Sequence, residues 1–128
     1  MSPTLAARVF TALIGGTILF QLALALGAPW GELAWGGAYA GALPTTMRLA
    51  SLGSVVLLLA LAAVVLIRAG LIGARWKPVS TKLVWVVVAY CGLGVLANAV
   101  TPSFWERVIW VPVTLVLLVC SLVVARSR

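Results

Sequence analysis

The chain has 128 residues, of which 64% are hydrophobic and only 9% charged, with a mean hydropathy of +1.22 and a net charge of +7. Soluble domains carry about 45–50% apolar and about 25% charged residues, so this chain has too little polar surface to dissolve and belongs in a bilayer. Its Lys and Arg punctuate apolar runs and build no basic face, which argues against a nucleic-acid partner. With no His and no Asp, the only carboxylates are Glu32 and Glu106, and metal or triad chemistry loses its usual ligands and bases.

Four apolar runs are long enough for hydrocarbon about 30 Å thick, which a helix of roughly 17–25 residues crosses. They are 9–27, 49–67, 83–100 and 108–125. Unpaired backbone groups in lipid each cost several kcal/mol, so all four are expected as helices. The fold class is an all-α membrane protein, a single four-transmembrane-helix bundle over 1–128. The first run follows Arg8 and contains Ala23-Leu24-Ala25, which has the look of a secretory signal. It exceeds the roughly 7–15 residues of a signal core, however, and is expected to stay as a span.

The segment 28–48 is longer than the 2–8 residues that typically join packed helices. Its alanines, leucines, Trp35 and Tyr39 argue against a solvated coil, so it is expected to fold back over one mouth of the bundle. A short interfacial helix or a hairpin turning at Gly36-Gly37 would both satisfy the pattern. Pro78 is expected to stop any helical continuation of the 68–82 connection, and Pro112 to lie in the first turn of the fourth helix. Thr11-xxx-Gly15, Ala12-xxx-Gly16 and Tyr90-xxx-Gly94-xxx-Asn98 offer small faces for close helix approach. Cys91 and Cys120 lie inside apolar runs and read as small buried residues.

Arg8, Arg68, Arg75, Lys77, Lys82, Arg126 and Arg128 fall on one side of the four spans, and only Arg48 and Arg107 on the other. The excess predicts cytoplasmic termini and an extracytoplasmic 28–48 loop. The two outer arginines are matched by the only two acids. Trp30, Trp35, Trp105 and Trp110 are expected as the outer aromatic belt, with Trp76 and Trp85 as the inner one. Arg8 to Glu32 and Lys82 to Glu106 are equally spaced, each acid between tryptophans, a weak echo that chance or shared topology explains better than parallel duplication, since the residues between do not match.

Polar residues of the spans, Gln21, Ser51, Ser54, Asn98 and Thr114, concentrate toward the outer side, where Gln21, Ser54 and Asn98 join Glu32, Arg48, Glu106 and Arg107 in a candidate polar cluster. Two readings compete for it. The ions can pair as Glu32–Arg107 or Glu106–Arg48 while Gln, Asn and Ser bridge helices with bonds worth about 0.6–2 kcal/mol; alternatively the cluster lines a pocket opening outward. Subunits of small multidrug transporters and fluoride channels have this size and helix number. A proton-coupled exporter of that kind needs a carboxylate within its first helix, where this chain has Gln21, and both families often insert in two orientations, against the charge bias here.

The phrases GAPWGELAWGG, the following LP with Arg48, and ERVIWVPV resemble those of uncharacterised small bacterial four-helix integral membrane proteins. The resemblance covers most of the chain and implies a bacterial inner (plasma) membrane, multi-pass, without attaching an activity. The expected role is a non-catalytic accessory or interaction protein with no cofactor. Membrane lipids, a second copy or another membrane protein are its expected partners, together with a small apolar ligand such as a quinone or lipid. The rival expectation is an oligomeric carrier or channel for a small solute, ion or lipid.

Overall fold

The computed structural model describes residues 1–128 and contains four long helices and no strand: α1 (Pro3–Ala25), α2 (Thr45–Arg68), α3 (Lys77–Val100) and α4 (Phe104–Arg126). All four are long and apolar enough to cross a membrane. At 1.5 Å per residue each runs to about 35 Å, slightly more than the hydrocarbon thickness.

Each helix starts ahead of the apolar run that revealed it, because hydropathy marks the lipid-facing stretch and not the hydrogen-bonded one. Ser2 caps α1 by accepting from Leu5 N at 3.1 Å, and Pro3 occupies the first turn, where its missing N–H costs nothing. Ser103 caps α4 in the same way, accepting from Glu106 N at 3.3 Å. Two proline expectations are corrected by these starts. Pro78 does not stop a helix: a 3-10 turn over Ala74–Trp76 feeds straight into α3, and Pro78 sits in its first turn. Pro112 is not in the first turn of α4 but in its interior, so the Val108 carbonyl loses its usual N–H partner.

The helices alternate in direction, with α1 against α2 and α4, and α3 against α2 and α4. Of these neighbours α2 and α3 are the least closely packed. One end of the bundle, here the base, carries both termini and the Ala69–Trp76 connection; the other, the cap end, carries the α1–α2 loop and the short Thr101–Ser103 link. The core lies toward the base, where Ala6, Phe10, Val65, Val87, Cys120 and Val124 are fully or almost fully buried. Cys91 and Cys120 are both buried and unpaired. Arg68, counted above among the interfacial cations, is instead buried at the base and donates through Nη2 to the Ser127 carbonyl, which ties the end of α2 to the end of the chain.

The small-residue faces behave differently from expectation on α1. A Cβ built on Gly15 or Gly16 meets nothing within 4 Å, so these glycines face outward and mediate no close approach. On α3 the expectation holds at Gly94, whose Cβ would touch Thr114 Cγ2 at 3.6 Å.

Candidate functional site: a cleft at the cap end

Toward the cap the four helices stop interdigitating. The last buried side chain of α3 is Cys91, although the helix continues to Val100. What replaces the core is a cleft of about 490 Å3, inside the range of about 300–1,000 Å3 of small-molecule sites. Ile14, Leu58, Leu61, Cys91 and Leu117 form its floor above the base-side core. Its walls are Thr17, Phe20 and Gln21 of α1, Ser54 of α2, Tyr90, Gly94, Ala97 and Asn98 of α3, and Glu106, Trp110 and Thr114 of α4. Leu33, Ala34 and Trp35 of the loop close it at the cap. Leu93 and Tyr90 wall the cleft while remaining 67% and 42% exposed, so its mouth opens sideways along α3 and not only toward the cap.

The loop is neither a helix nor a strand hairpin. It makes two successive 3-10 turns, Gly31–Leu33 and Trp35–Gly37, and its ends are joined where Gly31 N donates to Gly41 O at 2.8 Å. Only glycine fits at 31, because a Cβ there would run into the Tyr39 and Gly41 carbonyls. Trp35 takes a left-handed backbone, φ 54°, an uncommon conformation for a bulky residue and one that concentrates at functional sites. Ala34 and Leu43 bury themselves against Leu24, with Phe20 and Met47 alongside.

Two hydrogen bonds from α4 and its N-cap hold the loop down: Trp110 Nε1 donates to Leu33 O at 2.7 Å, and Ser103 Oγ donates to Glu32 O at 2.7 Å. Phe20 is stacked on Trp30, centroids 6.4 Å apart, and meets Trp110 at 4.9 Å. Trp110 is therefore turned inward as a fastener, a correction to its expected place in an aromatic belt. Trp30, Trp35, Trp76, Trp85 and Trp105 remain exposed.

The candidate cluster separates into two groups. Gln21, Ser54, Asn98 and Glu106 converge on the cleft. Glu32 lies at the rim, using its backbone carbonyl, and the two arginines point elsewhere. Arg48 donates through Nε to Ala25 O at 2.8 Å, and Arg107 through Nη1 to Thr101 O at 2.5 Å. Each arginine is the fourth residue of its helix and reaches back to cap the C-terminal end of the preceding one, where cations are favoured. The expected pairs Glu32–Arg107 and Glu106–Arg48 do not form, because both guanidinium groups are engaged by helix ends. Glu106 Oε2 instead accepts from Thr101 Oγ1 at 2.7 Å. The Ser103-x-x-Glu106 spacing is a helix-start signature that would have placed this carboxylate in the first turn of α4.

Nor do the hydroxyl and amide groups that line the cleft bridge helices. Thr17 Oγ1 donates to Leu13 O, Ser54 Oγ to Ala50 O, Thr114 Oγ1 to Trp110 O and Asn98 Nδ2 to Gly94 O, every one within its own helix. Gln21 Oε1 is buried with no partner at all, and so is Ser51 Oγ. Thr114, expected in the outer polar half, lines the cleft, as do Tyr90 and Trp110, which sequence reasoning left out of the cluster. Four-residue steps would have found both: Asn98, Gly94 and Tyr90 share one stripe of α3, and Glu106, Trp110 and Thr114 one stripe of α4.

Fold and site together define a multi-pass, all-helical membrane protein with a half-open bundle. No family model matches the chain, and no curated protein or solved structure resembles it significantly.

Proposed function

We propose that the chain is a non-catalytic accessory or interaction protein of the bacterial inner (plasma) membrane, akin to other small bacterial four-helix membrane proteins, and that its cap-end cleft holds an apolar molecule with a polar end. Its termini and the Ala69–Trp76 connection lie in the cytoplasm and the cap outside, as the excess of Lys and Arg at the base favours. The observation that carries this reading is a cleft of about 490 Å3 in which 14 of 21 lining residues are apolar and Ser54, Asn98 and Glu106 supply polar groups. A mostly apolar pocket with a few convergent polar groups is the form that small-molecule sites take. A route for a small solute finds less support, since the core below the floor is built of Phe10, Val65, Val87, Cys120 and Val124. Partners fall to the surrounding lipids and, in an accessory role, to another membrane protein or a second copy.

The test is purification in mild detergent followed by native mass spectrometry. A bound molecule of the lipid or small-amphiphile class, retained by the wild type and lost on Ser54→Phe, supports the cleft as a site. Equal retention by the filled variant removes it. A thiol placed next to Lys77 and labelled from outside intact cells would overturn the orientation.

A further inference from the structure

The cleft is chemically one-sided. The hydroxyl hydrogens of Thr17, Ser54 and Thr114 and one amide hydrogen of Asn98 are spent on backbone carbonyls of their own helices. The Trp110 N–H is spent on the loop. What these groups leave for the cleft is mainly oxygen, in three hydroxyl lone-pair sites, the Asn98 carbonyl and the Glu106 carboxylate, while Gln21 Oε1 is shielded within the chain. The donors that remain are the amide hydrogens of Gln21 and Asn98 and the Tyr90 hydroxyl, which sits at the exposed mouth.

Charge points the same way. Glu106 is the only ionisable carboxylate on the cleft, and its one recorded side-chain partner is the neutral hydroxyl of Thr101. Both cap-end arginines are committed to helix ends and leave it without a cationic partner. Phe20, Trp35 and Trp110 add aromatic rings to the same wall, and ring faces attract cations. An anionic head would face a carboxylate and an array of acceptors. A neutral alcohol would offer one donor and no charge.

We infer that the cleft binds a lipophilic amine in its protonated form. The ammonium head lies toward Glu106 and Asn98, and the apolar body rests on Ile14, Leu58 and Leu117. This rests on the reading of the cleft as a ligand site and adds the class of ligand. Entry is from the bilayer through the sideways mouth at Tyr90 and Leu93.

The test uses the full chain in phosphatidylcholine nanodiscs, titrated with dodecylamine, dodecanol and dodecanoate and read by tryptophan fluorescence, with Trp35 and Trp110 as reporters. Dodecylamine should bind about tenfold or more tightly than dodecanol, with dodecanoate weakest, and Glu106→Gln should erase that preference. Glu106→Gln keeps an acceptor for Thr101, so the helix start survives. Ser54→Phe, which breaks no bond between helices, should abolish binding of every probe. If the alcohol or the acid binds as well as the amine, or the preference survives Glu106→Gln, while Ser54→Phe still blocks binding, the amine assignment falls and the site stands. If no probe responds to Ser54→Phe, both fall. Repeating the titration in phosphatidylethanolamine nanodiscs identifies the source: displacement of dodecylamine by the bilayer supports a lipid headgroup amine, and undiminished binding supports a small amphiphile.

Discussion

Gln21→Leu separates a binding group from a structural one by the sign of a stability change. In the folded chain Gln21 Oε1 is buried and accepts nothing, and leaving such an acceptor unpaired costs about 1–3 kcal/mol. Leucine has similar bulk and no polar atoms, so the exchange should stabilise the ligand-free protein by about 1 kcal/mol, roughly a fivefold shift of the unfolding equilibrium. Had Gln21 bridged two helices, the same substitution would remove a bond worth about 0.6–2 kcal/mol and the sign would reverse. Reversible unfolding in mixed micelles with increasing dodecyl sulfate, followed by far-UV circular dichroism, reads the difference directly. Asn98→Leu is the control: its amide bonds back to Gly94 O within α3, so its loss should change stability by less than about 0.5 kcal/mol. A Gln21→Leu variant that unfolds more readily than wild type would refute the reasoning.

Four further outcomes follow from the cap. Arg48→Met and Arg107→Met should each cost about 1–2 kcal/mol in the same unfolding assay, because each strips a helix end of its charged donor. Gly31→Ala should free the loop from the bundle, since the Cβ displaces the Tyr39 and Gly41 carbonyls; faster hydrogen exchange over residues 28–44 with an unchanged base would show it. Trp110→Phe keeps a ring against Phe20 but removes the donor to Leu33 O, and should raise exchange in the same loop at a cost near 1 kcal/mol. Ser103→Ala should cost a similar amount through loss of the α4 cap and of the bond to Glu32 O.

Hydropathy made the four spans visible because lipid imposes one requirement along the whole length of a segment. The gathering of Gln21, Ser54 and Asn98 on one cleft was also legible, since their depth along the helices follows from the chain direction of each span. The roles of Arg48 and Arg107 were not. Sequence counts of charge pair each arginine with an acid, whereas a helix end presents several unsatisfied carbonyls close to the arginine that begins the next helix, and these win. Glycines gave a similar lesson: Gly15 and Gly94 look alike in a four-residue spacing, and only the rotation of each helix decides that one faces outward and the other meets Thr114. Trp110 was misplaced for the same reason, because its depth suits an interfacial belt while its direction fits the loop.

The shape of the bundle also decides where selectivity can arise. At the base, Phe10, Ile14, Leu58 and Val65 fill the space between helices, whereas Thr17, Ser54, Gly94, Ala97 and Thr114 leave it open toward the cap. The helices cannot close over these small residues, because Arg68 pins α2 to the chain end at the base while the arginine caps and the fastened loop fix the other end. The cleft of about 490 Å3 opens sideways past Leu93, so in a bilayer its mouth faces acyl chains, which can enter it when no ligand is bound. Any ligand must displace them, so its own apolar body gains almost nothing by binding: one hydrocarbon replaces another. Discrimination falls to the polar end, where Glu106 and Asn98 offer what no lipid tail can use, and this is why probes sharing one dodecyl chain and differing only in the head are the decisive comparison.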